Sequence, residues 1–196
     1  MEYLMTYGWA LLVIVIVIAV LIYINPFRAP EQCVFDQAGF LCQKPILQVS
    51  GLAPDGSTKV AGLFHATLVN GDRKTIVIEA ISCVKGRTSP DGEITNTDSW
   101  PDYTLVKRTL GYQEQIDDLG NFLDDSGNSN YVSCVDLDAA TPKTSGGYAK
   151  LSYPASITLR PNEDFSGRLY VAYKYSDDPS TMPPKIVGAN LVTRTQ

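Results

Sequence analysis

The sequence predicts an α+β protein in which a long N-terminal apolar α-helix is followed by an all-β, sandwich-like globular domain. Three observations lead to this fold class. Glu2 is the only charged residue among the first 25, the rest of the 196 residues hold many short apolar runs between Gly, Pro and Asn, and all four cysteines follow the apolar segment. Long apolar runs are typical of helices, whereas short runs between turn residues are typical of strands.

The N-terminal segment is predicted to be a membrane helix. Tyr3–Ile24 contains no charge in 22 residues, and Leu11–Ile22 is apolar on every side. A bilayer span needs about 20 such residues, and a helix of this length reaches about 33 Å. We therefore expect residues 1–25 to anchor the precursor in the membrane. An ordinary signal peptide fits less well, because its apolar region is shorter and ends in a small-residue cleavage site.

A neck and a missing basic segment are also expected. Membrane helices keep positive charge on the cytoplasmic side, yet the first basic residue is Arg28. We therefore expect Lys or Arg ahead of Met1 in the precursor. Pro26 and Pro30 stop or bend a helix, because proline lacks the amide hydrogen. Residues 26–32 are accordingly predicted to form a short, stiff neck.

Residues 33–196 are predicted to form one extracellular β domain. Asn70-Gly71 lies between the β-rich runs Val60–Val69 and Thr75–Ile81, which predicts a β-hairpin. Alternation in Leu169–Tyr175 predicts that its odd-numbered residues face the core. Further strands are predicted at Ile46–Val49, Tyr103–Arg108, Tyr131–Leu137, Ser156–Leu159 and Ile186–Val192, and polar surface loops at Thr88–Asp102 and Gly111–Asn130.

The cysteines, Cys33, Cys42, Cys83 and Cys134, permit three pairings. Cys33 and Cys42 bracket a turn-like segment, which favours a local bridge. Cys83 and Cys134 each lie at a predicted strand end, which favours joining them to each other. Zinc binding requires closer Cys or His spacing, so no metal is expected. Two disulfides favour an oxidising, extracytoplasmic location.

Enzymatic and nucleic-acid functions have little support. The single histidine, His65, lies in a predicted strand, and none of the common catalytic motifs occurs. Asp117-Asp118 and the run Asp124–Asn130 could offer oxygens to calcium, but their spacing does not match an EF-hand loop, so solvated loops are expected. A net charge of −5 without a basic cluster argues against nucleic acid. We therefore predict a protein without catalysis or cofactor.

The N-terminal residues carry a family resemblance. Glu2-Tyr3-Leu4-Met5-Thr6-Tyr7-Gly8-Trp9-Ala10, running directly into the Leu/Val/Ile helix, resembles the start of archaeal type IV pilins with class III signal peptides. The resemblance implies that a prepilin peptidase removes a short basic leader and that the helix first holds the subunit in the membrane. The pilus assembly machinery would then pack the helices of many copies into an extracellular filament.

The resemblance also implies which residues act in assembly. Glu2 would meet the N-terminal amine of a neighbouring subunit and set the register. The family's glutamate falls at the fifth mature position, so further residues are expected ahead of Met1. The alternative for Glu2 is a carboxylate that stabilises the start of a helix. The complete predicted set is Glu2, Tyr3, Leu4, Tyr7, Gly8 and Trp9, in which Tyr3 and Tyr7 share one helical face and Gly8 lets a second helix approach.

Two other functions are compatible with the sequence. Subunits of archaeal swimming filaments share the pilin architecture. A single-pass anchored ectodomain that binds a sugar, a peptide or a surface-layer component would never polymerise and would keep its helix in lipid. Its activity would lie in the polar loops around Asp91–Asp102 or Asp117–Asn130.

Overall fold

The structure is a computed structural model that describes residues 2–24, 31–54, 56, 59–86, 104–135 and 159–196. The chain divides into two compact units, Met1–Pro30 and Glu31–Gln196. The first contains helix α1 (Glu2–Ile24). The strands of the second are β1 (Gln32–Phe35), β2 (Phe40–Leu52), β3 (Lys59–Asn70), β4 (Ile76–Lys85), β5 (Thr104–Leu110), β6 (Gln115–Ile116), β7 (Phe122–Leu123), β8 (Ser129–Asn130), β9 (Cys134–Val135), β10 (Asp164–Tyr175) and β11 (Lys185–Arg194).

The predicted α+β fold class with a long membrane-crossing helix is wrong. Most of the described residues form a β-rich domain. Among the described residues, no helix combines the length and the apolar character that crossing a bilayer requires. The prediction rested on the absence of charge over 22 residues, of which only the 13 from Ala10 to Ile22 form an unbroken aliphatic run.

The β domain contains two main sheets. The larger has the strand order β1-β11-β10-β4-β5, with β9 parallel to β4, and the smaller has the order β2-β3-β6. Strands β7 and β8 form a separate pair. β10 is central in the larger sheet, because it pairs antiparallel with β11 on one side and with β4 on the other. Its backbone donors and acceptors are therefore satisfied by neighbouring strands.

One apolar core joins both sheets. Phe64 and Leu68 of the smaller sheet and Leu169 and Val171 of the larger belong to the same buried cluster. The predicted core face of β10 is thus confirmed, since Tyr173 and Tyr175 also pack against this cluster. Part of the opposite face of β10, at Tyr170 and Ala172, is buried as well, which one-sided alternation did not predict. Its cluster comprises Ala80, Val84, Val135, Tyr170 and Ala172.

The predicted β-hairpin at Asn70-Gly71 is wrong, although both strands are present. β3 pairs with β2 and β6, whereas β4 pairs with β10, β5 and β9. The Asn70 side chain explains the difference. It is fully buried, and its Nδ2 donates to the carbonyl oxygens of Lys74 at 2.9 Å, Leu110 at 3.1 Å and Gly111 at 3.0 Å. These bonds shape an open turn that carries the chain from the smaller sheet to the larger.

Other predicted strands agree with the structure to different degrees. Ile46–Val49 lies within β2 and Ile186–Val192 within β11, and Tyr103–Arg108 overlaps β5, so these three predictions are confirmed. Within Tyr131–Leu137, Cys134–Val135 forms β9. Residues 156–158, the predicted loop Thr88–Asp102 and residues 26–30 of the neck lie outside the described residues.

The predicted surface loop Gly111–Asn130 is wrong in part, because six of its 20 residues form strands, although most of the segment is exposed. The segment contains β6, β7 and β8, and Ile116, Leu119 and Phe122 are buried in the common core. The Leu119 amide donates to the Ala66 carbonyl at 2.9 Å, which fixes the segment beside β3. These three apolar residues are spaced three apart, so the alternation that identifies strands does not detect them.

Both disulfides favoured by the sequence are present. Cys33–Cys42 joins β1 of the larger sheet to β2 of the smaller one across the turn at residues 36–39. Cys83–Cys134 joins β4 to β9 at a position where the two strands are paired. The first bridge therefore links the two sheets, and the second fixes the short β9 to the larger sheet.

The Asn70→Ala variant should lose about 2 kcal/mol of unfolding free energy, because the two Nδ2 hydrogens that the three backbone carbonyls share are removed. Urea denaturation of both proteins measures this loss. Asn121→Ala, at an exposed position, is the matched control and should change the value by less than about 0.5 kcal/mol. Equal effects of the two substitutions would contradict the role given to Asn70.

Candidate assembly surface on helix α1

Helix α1 presents an uncharged, largely apolar surface from Tyr7 to Tyr23. All 17 side chains from Tyr7 to Tyr23 are exposed, and the exposed fraction reaches 74% at Ile22 and 91% at Tyr23. Leu, Val and Ile occupy consecutive positions of the run, so every side of the helix carries apolar groups. A contiguous exposed apolar surface of this kind is typical of an interaction site.

All six predicted assembly residues lie on α1. The backbone is helical at Glu2, Tyr3 and Leu4. Tyr7 and Trp9 are exposed to 73% and 72%. Their part in assembly stays a prediction.

Gly8 is unusual within this helix. A Cβ atom placed on Gly8 would meet no described residue within 4 Å outside the adjacent helix backbone, so the described part of the chain does not require the small residue. Glycine in a helix interior costs about 1 kcal/mol relative to alanine. A second helix that approaches closely at this point would give the missing side chain a packing function.

His65 belongs to a structural pair in the β domain. Its Nδ1 lies 2.9 Å from Asp118 Oδ1, and a Cβ atom on Gly120 would collide with the imidazole ring. Nε2 is buried and has no hydrogen-bond partner among the described residues. The pair connects β3 to the segment that follows β6, and the buried Nε2 has no access to a substrate.

The acidic run after β7 closes its own loop. Asp124 accepts hydrogen bonds from the Ser126 amide and from the amide and side chain of Asn128. These bonds, with the Asn128 side chain first, lower the pKa of Asp124. Asp125 accepts bonds from the amide and hydroxyl of Thr109 in β5. Within the described residues, no three metal-ligating side chains converge.

Tyr175 lies in a charged cluster at the end of β10. Its hydroxyl donates to Asp72 Oδ2 at 2.9 Å. Lys185 Nζ lies 3.9 Å and Lys74 Nζ 4.9 Å from the centre of the ring. The two ammonium groups favour the phenolate, but the hydrogen bond to Asp72 and, second, burial outweigh them and raise the pKa of Tyr175 to about 12.

Sequence reasoning missed a polar cluster on the larger sheet. Asp36, Arg168 and Asn190 meet there, since both Arg168 Nη2 and Asn190 Nδ2 donate to the Asp36 carboxylate. Asp36 is separated from these residues by 132 and 154 positions. No local motif could have revealed the cluster, because only the pairing of β1, β10 and β11 brings these residues together.

Comparison of the chain with protein-family models, with curated proteins and with solved structures gives no match.

The raised pKa of Tyr175 predicts a loss of stability at alkaline pH. The group is easier to deprotonate in the unfolded chain, near pH 10, than in the folded one. Its contribution to the free energy of unfolding is therefore complete below pH 10 and is lost as the pH rises through about 12. The difference between the ultraviolet titrations of the wild type and Tyr175→Phe should show a midpoint near 12.

In the Asp72→Asn variant this midpoint should move towards 10, because the acceptor no longer carries a charge. Asp125→Asn removes a carboxylate that contacts β5 instead and should leave the midpoint in place. The same Tyr175 midpoint in the wild type, Asp72→Asn and Asp125→Asn would contradict the claim that Asp72 raises the pKa of Tyr175.

Proposed function

We propose that this chain is a structural subunit that polymerises through α1 into an archaeal type IV pilus used for surface adhesion. The observation that carries the proposal is the exposure of all side chains from Tyr7 to Tyr23, none of which is charged. Burial of apolar surface contributes about 25 cal/mol per Å². Helices satisfy their backbone hydrogen bonds internally, so copies of α1 can pack on every side without leaving a polar backbone group unpaired.

Two further features support this proposal. The sequence Glu2–Ala10 resembles the start of archaeal pilins, and Gly8 leaves open space that no described residue fills. The two disulfides fit the oxidising surroundings of a cell-surface filament. The partners are other copies of the chain, the prepilin peptidase and the assembly machinery. The proposal does not require α1 to cross a bilayer.

Native cells give the direct test. Surface filaments sheared from cells and viewed by electron microscopy should contain this chain as a subunit identified by mass spectrometry. Recovery of the chain only as a non-filamentous cell-associated protein would contradict polymerisation and favour a binding domain that acts as single copies. Filaments that rotate in live cells would instead assign the chain to a swimming filament.

Substitutions in α1 test the packing directly. Gly8→Ala should stabilise the isolated helix by about 1 kcal/mol, yet filament yield should fall from Gly8 to Ala and further to Leu, because a larger side chain keeps a neighbouring helix away. Glu2→Ala should also lower the yield, as the resemblance implies. Ser129→Leu, at an exposed position of β8, is the control. A filament yield that rises with helix propensity in the Gly8 variants would exclude Gly8 from the interface. An unchanged filament yield in Glu2→Ala would exclude Glu2 from assembly.

A further inference from the structure

A cleft of about 470 Å³ lies on the larger sheet, where β10 and β11 pair. Its lining includes Ser166, Arg168, Asn190 and Val192. Pockets for small ligands have volumes of about 300–1,000 Å³, so the cleft has room for a small ligand. The paired strands hold the lining side chains rigidly. These side chains would therefore lose little conformational freedom when a ligand binds.

Strand register places the lining side chains in adjacent rows. Arg168 is paired with Asn190, and Asn190 is paired with Val34 of β1. Directly paired residues point to the same face, with Cβ atoms about 5 Å apart. Val34 is 56% exposed, so an apolar side chain borders the polar ones. The next row contains Ser166, Val192 and Gln32.

The charged groups of the cleft balance each other. Arg168 Nη2 donates to Asp36 Oδ2, and Asn190 Nδ2 donates to Asp36 Oδ1 at 3.2 Å. The guanidinium also lies over the Tyr170 ring, with its carbon 5.6 Å from the ring centre. Gly188 makes room for this arrangement, because a Cβ atom there would lie 3.0 Å from Arg168 Nη2 and 3.3 Å from Asp36 Oδ2.

Asp36 does not use all the hydrogen-bonding capacity of the cleft. Arg168 keeps 24% of its side chain exposed. Asp36 keeps 43% of its side chain exposed, and Ser166 and Asn190 are exposed. The cleft therefore offers a guanidinium, an amide, a hydroxyl and a carboxylate side by side, so donors and acceptors are both available.

This set of groups selects the chemistry of the ligand. An anion would meet the Asp36 carboxylate together with Arg168, and the net charge of −5 opposes its approach. An apolar ligand would leave the polar groups desolvated without partners. A hydroxyl group both donates and accepts, and the C–H face of a sugar ring can lie on Val34 and Val192.

We propose that this cleft binds a neutral saccharide unit through Arg168, Asn190, Asp36 and Ser166. Binding itself does not depend on polymerisation. Only its use in adhesion rests on the proposed function.

Saturation-transfer difference NMR with the purified full chain tests the proposal. The probes are neutral methyl hexopyranosides and N-acetylhexosamines at millimolar concentration, with uronic acids as anionic comparators. We expect transfer to at least one neutral saccharide and weaker transfer to the uronic acids. Absence of transfer to every neutral probe, or a preference for the uronic acids, would overturn the proposal.

Two substitutions locate the binding. Asn190→Ala removes one amide from the cleft, and Ser166→Phe fills it; each should weaken binding about fivefold or more. The matched controls Asn121→Ala and Ser129→Phe lie at exposed positions outside the cleft and should bind like the wild type. Urea denaturation checks that Ser166→Phe folds. If this variant does not fold, Asn190→Ala alone decides whether the saccharide binds in the cleft. Wild-type binding by both cleft variants would refute the location.

The Gly8→Leu variant separates the two proposals. It should keep saccharide binding while it forms fewer filaments. Loss of saccharide binding in this variant would show that the cleft depends on assembly and would contradict the independent site argued above.

Discussion

The chain passes from the smaller sheet to the larger at Asn70, and the shared core depends on the geometry of that passage. An Asn-Gly pair between two apolar strands ordinarily closes a two-residue hairpin. Here the Asn70 amide donates to Lys74, Leu110 and Gly111 instead, so β3 and β4 separate into different sheets. Their apolar faces then contribute to one core. Cys33–Cys42 links the same two sheets through β1 and β2, so a covalent and a hydrogen-bonded connection maintain the arrangement.

Two strand edges of the described β domain are partly covered by other segments, whereas the described side chains of α1 are exposed. Gln196 exchanges backbone hydrogen bonds with Leu47 and Val49 of β2, at 2.9 and 3.0 Å. Asp125 binds Lys107 and Thr109 of β5 through its amide and its carboxylate. Covered edges oppose association through strands. The contrast favours association through the helix, because that is where a large apolar surface lacks a cover.

Features that depend on neighbouring residues could be predicted from the sequence. The alternation of β10 identified Leu169 and Val171 as core residues, and the positions of the four cysteines at turns and strand ends favoured the bridges that form. The hairpin prediction was wrong because the hydrogen-bond partners of Asn70 include Leu110, which lies 40 residues further along the chain. The polar cleft was missed for the same reason. The prediction of a membrane helix relied on the absence of charge, whereas no helix of the described residues is long and apolar enough to cross a bilayer.

Polymerisation and saccharide binding would reinforce each other physically. A single cleft with a few hydrogen bonds and one exposed apolar side chain binds weakly, since a small ligand loses translational freedom and the polar groups lose water. A filament repeats the cleft in every subunit, and a polysaccharide repeats the ligand. Each later contact is then intramolecular and occurs at a high effective concentration, so the total affinity can exceed that of one site by about 10²–10⁴. Weak individual binding is therefore compatible with firm adhesion, provided that the helices hold the copies together.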